Sequence, residues 1–103
     1  NVEALVQRAK ICSKDVWWVG LPSVIEKAWK KHASETDALF ENARIAEYRK
    51  TLSDVASHLG TPAIEVYDLL MPEDFIDGLH PNDRGHQKIF SRVKERMAAK
   101  GYF

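Results

Sequence analysis

The sequence predicts an α/β fold built on a parallel sheet, and three observations predict it. Val16-Trp17-Trp18-Val19 is a β-branched and aromatic run without alternation, as expected of a strand buried on both faces. Helical and extended patterns then alternate along the chain. No linker or repeat divides its 103 residues, which suit one domain at most.

The first element is a helix from Val2, because Val2, Leu5, Val6, Ala9 and Cys12 recur at steps of three and four and so form one apolar stripe. Lys10 and Lys14 suit its C-terminal end. The strand Val16–Val19 follows and is closed by Gly20 and Pro22. Ser23 to Thr36 reads as mixed loop and short helix: Ile25, Ala28 and Trp29 face inward, and Lys27, Lys30, Lys31 and His32 leave the other side cationic.

A longer helix is expected from Asp37 to Leu59, with Leu39, Ile45, Tyr48, Leu52, Val55 and Leu59 on its apolar face and Gly60 and Pro62 as its stop. Ala63 to Tyr67 reads as a second short strand, followed by an acidic irregular segment to His80. The last helix starts after Pro81, with Asn82 or Asp83 as its N-cap, apolar positions His86, Ile89, Phe90, Val93 and Met97, and Gly101 as its end. Right-handed crossovers between such elements give a parallel sheet.

Composition narrows the function. With 45% hydrophobic residues and ten aromatics, the chain is able to bury about two-thirds of its unfolded surface, so a folded core is expected. Fifteen basic and fifteen acidic side chains cancel, leaving no global field to gather phosphates or anionic lipid. No nucleic-acid partner is expected. Cys12 is the single cysteine, which excludes an internal disulfide and a cysteine-based zinc site. The longest uncharged apolar stretch, Val16 to Ile25, is far too short to span a bilayer.

The most informative stretch is Asp77-Gly78-Leu79-His80-Pro81-Asn82, at the carboxyl side of the second strand and just before a helix. In open parallel sheets that edge is where ligands bind. A carboxylate three residues before a histidine is able to curl back and accept the Nδ1 proton, leaving Nε2 as a base. Gly78 permits the turn, and Pro81 biases His80 toward an extended backbone. The same residue types also make an ordinary loop before a helix.

Extended to Asp83-Arg84-Gly85-His86, this stretch resembles the final motif of the SGNH hydrolases, the GDSL-type esterases and lipases, in which an Asp-x-x-His-Pro segment supplies two members of a catalytic triad. The flanking elements resemble that family's C-terminal half, with Val16 to Pro22 similar to its buried strand and the Pro-containing loop beside the substrate. The resemblance implies that residues 1–103 are the C-terminal portion of a three-layer α/β/α flavodoxin-like fold whose N-terminal half is absent. It implies a serine ester hydrolase with His80 as general base and Asp77 as its orienter. A small-molecule, lipid or carbohydrate ester would be the substrate, and no cofactor or metal is implied.

The chain departs from that family in its nucleophile. Neither a Gly-Asp-Ser nor a Gly-x-Asn-Asp motif is present, and Ser13, Ser23, Ser34, Ser53, Ser57 and Ser91 lie in unrelated contexts. A base and its orienter alone give little hydrolysis. Three explanations follow: a preceding segment brings the serine, a second chain brings it, or the protein is a degenerate relative. The first is favoured, because the opening residue is Asn1 and the first helix shows no start.

Other candidates have plainer explanations. His80 and His86 with Asp77 and Asp83 are too scattered for a metal; instead His86 is expected to pack beneath the first turn of the last helix and Asp83 to cap it. His32 and His58 are expected at the surface. Trp17 and Trp18 are core candidates. Trp29, after the loop at the end of the first strand, is a candidate substrate contact, and the resemblance implies the same of Pro22. The alternative from another class is a non-catalytic α/β interaction module that docks a partner through Arg84, Lys88, Arg92 and Arg96, which are spaced by four.

Overall fold

The computed structural model describes residues 2–34 and 40–102. In chain order the elements are α1 (Val2–Cys12), β1 (Trp18–Val19), α2 (Glu26–His32), α3 (Asn42–His58), β2 (Ala63–Ile64), a 3-10 turn (Pro72–Asp74) and α4 (Asp83–Ala99). The fold is mixed α/β, with β1 and β2 paired in parallel and Trp18 and Val19 opposite Ala63 and Ile64. Parallel neighbours need a long crossover, and α2 and α3 lie within it.

Both strands are shorter than their apolar runs. Ladder geometry holds over two residues each, yet the backbone contact runs further, from Trp18 N–H to the Pro62 carbonyl, Gly20 N–H to Ile64 and Ser23 N–H to Tyr67. Contrary to the sequence expectation, β1 is not buried on both faces: Val16, Trp17 and Trp18 are half-buried and Val19 is 43% exposed. Among the described residues β1 pairs with β2 alone, and the face carrying Val19 is left partly uncovered. Ile64 and Val66, on β2 and just after it, are fully buried.

The helices keep their places but rotate. In α1, Val6 is buried, whereas Leu5 and Cys12 are exposed. The Lys10 ammonium donates to the Leu59 carbonyl at 2.5 Å, so the cation serves the C-terminal end of α3 rather than that of α1. Helix α3 begins at Asn42; Asp37 and Leu39 lie outside the described residues. Ile45 and Ala56 are its buried side chains, and Tyr48 is 64% exposed.

In α4 the inward line runs through Gly85, Lys88, Ile89, Arg92 and Val93, the i, i+3, i+4, i+7, i+8 positions of one face. His86 and Phe90 lie one step, about 100°, off that line and are exposed, so His86 does not pack beneath the first turn. Asn82 is the N-cap, its Oδ1 accepting Gly85 N–H at 3.0 Å; Asp83 is exposed and does not cap. Among the described residues no helix is long and apolar enough to cross a membrane.

Candidate active site

Between the 3-10 turn and α4 the chain folds into a closed loop. Phe75 and Pro81 form an antiparallel bridge, flanked by hydrogen bonds from Ile76 N–H to the His80 carbonyl and from Asn82 N–H to the Asp74 carbonyl, both 2.8 Å. Asn82 also donates its amide to the Glu73 carbonyl at 2.8 Å. Residues 76–80 therefore have little backbone freedom. The loop follows β2, at the end of the sheet where the carboxyl side of the strand opens.

Within it, one carboxylate does two jobs. Asp77 Oδ1 accepts the backbone N–H groups of Leu79 at 2.9 Å and His80 at 2.8 Å, while Oδ2 lies 2.7 Å from His80 Nδ1. The backbone N–H of His80, helped by its ring and by Leu79 N–H, pulls the Asp77 carboxyl down from the ordinary 3.8 to about 2, against the opposing effect of desolvation. Asp77 is thus an anion at neutral pH. A carboxylate only accepts, so Nδ1 carries the proton and Nε2 presents its lone pair. The His80 side chain is 63% exposed, so most of the ring faces solvent.

Gly78 makes this geometry possible. Its φ of +93° lies in the left-handed region, which L side chains avoid. A Cβ there would sit 2.7 Å from both the Ile25 carbonyl oxygen and the Trp29 nitrogen. Helix α2 presses on the loop at this point, and Ile25 N–H donates to the Gly78 carbonyl at 2.8 Å. As a result Trp29, buried on α2, lies 5.9 Å from the imidazole, ring centre to ring centre, at 73°.

Asp74 anchors the loop from below. Its side chain is fully buried and meets Lys88 at 2.5 Å, Arg84 at 3.2 Å and Met71 N–H at 2.8 Å. The Lys88 ammonium first, then Met71 N–H, hold its carboxyl below the ordinary range. Gly85 is buried against the Asp74 carbonyl and Pro81, where no side chain fits. This cluster changes the account of the basic stripe on α4. Arg84 and Lys88 serve Asp74, and Arg92 donates to the Glu65 carbonyl at 2.9 Å, so three of the four cations are tied into the fold.

Beside the dyad loop runs a mostly apolar groove of about 420 Å³, lined by Leu21, Pro22, Val24, Phe40, Glu41, Arg44, Ile45, Tyr48 and Leu79. Leu79 joins groove and dyad, being the residue before His80. Pro22 lies in this groove; Trp29 does not, and lines a smaller cavity with Glu26, Lys30, Phe40 and Glu41. Asn42 fixes the groove floor through a two-way bond to the Val24 backbone, with both contacts 2.8 Å. Trp17 packs on Tyr102 instead of approaching the dyad. His32 and His58 are exposed.

The structure thus brings Asp77 and His80 together, sets Trp29 against His80 and places Pro22 in the adjoining groove. Asp74, Asn42 and the groove residues Leu21 and Phe40 were missed by the sequence patterns. Asp74 carries no capping-box signature, because Met71 stands where a Ser or Thr would mark the turn. Among the described residues no group of three His, Cys, Asp or Glu side chains is arranged to hold a metal ion. No family model matches the chain, and no curated protein matches it either.

Proposed function

We propose that this chain contributes the His–Asp part of a Ser-His-Asp triad in a serine ester hydrolase of the SGNH type. The observation that carries this reading is Asp77 Oδ2 at 2.7 Å from His80 Nδ1 while the imidazole stays open to solvent. The nucleophilic serine and the oxyanion donors come from outside residues 1–103, from a preceding segment or a second chain. Among the described residues β1 pairs with β2 alone and its face carrying Val19 is partly uncovered, which suits continuation of the sheet toward the three-layer flavodoxin-like arrangement.

In this reading Nε2 removes the serine proton as Oγ attacks the ester carbonyl carbon. The resulting imidazolium is stabilised by the Asp77 carboxylate and returns the proton to the departing alkoxide. Water then takes the place of the alcohol: Nε2 accepts its proton, the acyl–serine bond breaks, and the serine oxygen recovers a proton. Asp77 stays ionised throughout, consistent with its depressed pKa of about 2.

The groove beside Leu79 takes the apolar part of the ester. Its volume lies in the range of small-molecule sites, and its wall of Leu21, Pro22, Val24, Phe40 and Ile45 favours an acyl chain over a sugar. Trp29 stands next to the imidazole, within reach of the ester end. The test is covalent labelling of the intact protein by a fluorophosphonate. One serine outside residues 1–103 is expected to react, and His80→Ala to abolish the reaction. Labelling that persists in His80→Ala, or labelling of no serine, overturns the assignment.

A further inference from the structure

We infer that Trp29 is a positioning residue for His80, confining the imidazole to the rotamer in which Nδ1 meets Asp77. A histidine whose side chain is 63% open to water has several staggered wells at χ1 within reach. A single solvent-exposed hydrogen bond stabilises one of them only modestly. Something rigid must stand beside the ring if it is to stay in line.

Trp29 is that body. It is buried on α2, 5.9 Å from the imidazole and tilted by 73° to it, and Phe40 packs on it in turn at 6.4 Å and 68°. Edge-on aromatic pairs at such separations are attractive as well as space-filling. The first turn of α2 is moreover fastened to the dyad loop, by Ile25 N–H on the Gly78 carbonyl at 2.8 Å. It approaches so closely that Gly78 has no room for a Cβ. Indole and imidazole therefore share one rigid unit, with Gly78 two residues before the ring it helps to place.

The catalytic consequence rests on the hydrolase reading, but the positioning does not, and the experiment separates them. In the NMR spectrum of the intact protein, nuclear Overhauser contacts between the indole and imidazole protons are expected, together with a hydrogen-bonded Nδ1–H resonance. Trp29→Leu is expected to remove the ring-current shift of the His80 ring protons and to broaden the Nδ1–H signal. Trp29→Phe is expected to retain both. In ester turnover the leucine variant should lose about tenfold in kcat with KM little changed, and the phenylalanine variant should recover most of it.

An unaltered His80 ring spectrum in a folded Trp29→Leu protein overturns the inference. So does the absence of indole–imidazole contacts in the unmodified protein, a readout that needs no variant. Absence of any ester turnover sinks the hydrolase reading instead and leaves the NMR result to decide the role of Trp29.

Discussion

Asp77 grips His80 twice, once through the ring, with Oδ2 2.7 Å from Nδ1, and once through the backbone, with Oδ1 2.8 Å from the His80 nitrogen. The two grips differ in kind. The backbone bond sets where the residue stands, while the ring bond sets the tautomer and leaves the Nε2 lone pair free of Asp77. Because the backbone N–H is also the strongest influence on the carboxyl group, folding the loop is what lowers the Asp77 pKa below its ordinary value.

The pH dependence follows from that coupling. Asp77 has its pKa lowered in the folded state to about 2, so its stabilising contribution is complete above the unfolded value near 3.8 and is lost as pH falls toward 2. Urea unfolding of the wild type and Asp77→Asn, compared across this range, should show a gap in stability that is constant above about pH 5 and closes below it. A gap that widens on acidification would contradict the assignment.

Gly78→Ala combines a left-handed backbone with overlap against α2, and the expected loss of stability is about 2–4 kcal/mol. Gly60→Ala is the control, because Gly60 has φ +67° and open space around its would-be Cβ. Only the backbone term of about 1–2 kcal/mol remains there. Equal losses in the two variants, measured by denaturant unfolding, would show that α2 does not press on the dyad loop.

Removing the Asp74 charge leaves Lys88 facing a buried site without its anion. Asp74→Asn should lower Tm by at least about 5 °C, and Lys88→Met, which leaves the fully buried carboxylate with Arg84 as its remaining cation, should cost as much or more. Thermal unfolding followed by circular dichroism checks both; an unchanged Tm in Asp74→Asn would remove Asp74 as the anchor of the loop.

The groove makes a specificity prediction. Leu21→Asp puts a charge into the apolar wall and should weaken turnover of long-chain p-nitrophenyl esters by roughly tenfold or more relative to the acetate, which does not fill it. A uniform effect on all chain lengths would place the acyl group elsewhere.

How much of this was legible in the sequence varies with the physics involved. The dyad was, because an Asp-x-x-His-Pro segment with glycine inside carries its geometry within one turn, and the structure forms the contact. Helices announced themselves through periodicity, but their rotation did not. In α4 the inward line passes through Lys88 and Arg92, polar residues drawn inside by Asp74 and the Glu65 carbonyl. A hydropathy stripe assigns such residues to solvent and turns His86 and Phe90 inward by mistake. The two strands were recognised by type, whereas Val19 is exposed because burial depends on what lies on the open face, which no local pattern encodes. Asp74 and the groove escaped for a similar reason, since their partners are distant in sequence.

In the proposed hydrolase His80, steered by Asp77, is the general base. The most direct measurement is steady-state hydrolysis of p-nitrophenyl acetate by the intact protein and by its His80→Ala and Asp77→Asn variants. Turnover is expected in the wild type, with a fall in kcat of roughly 10³-fold or more in His80→Ala and of roughly 10²–10⁴-fold in Asp77→Asn, and with KM little altered. Turnover in His80→Ala equal to that of the wild type would contradict that role.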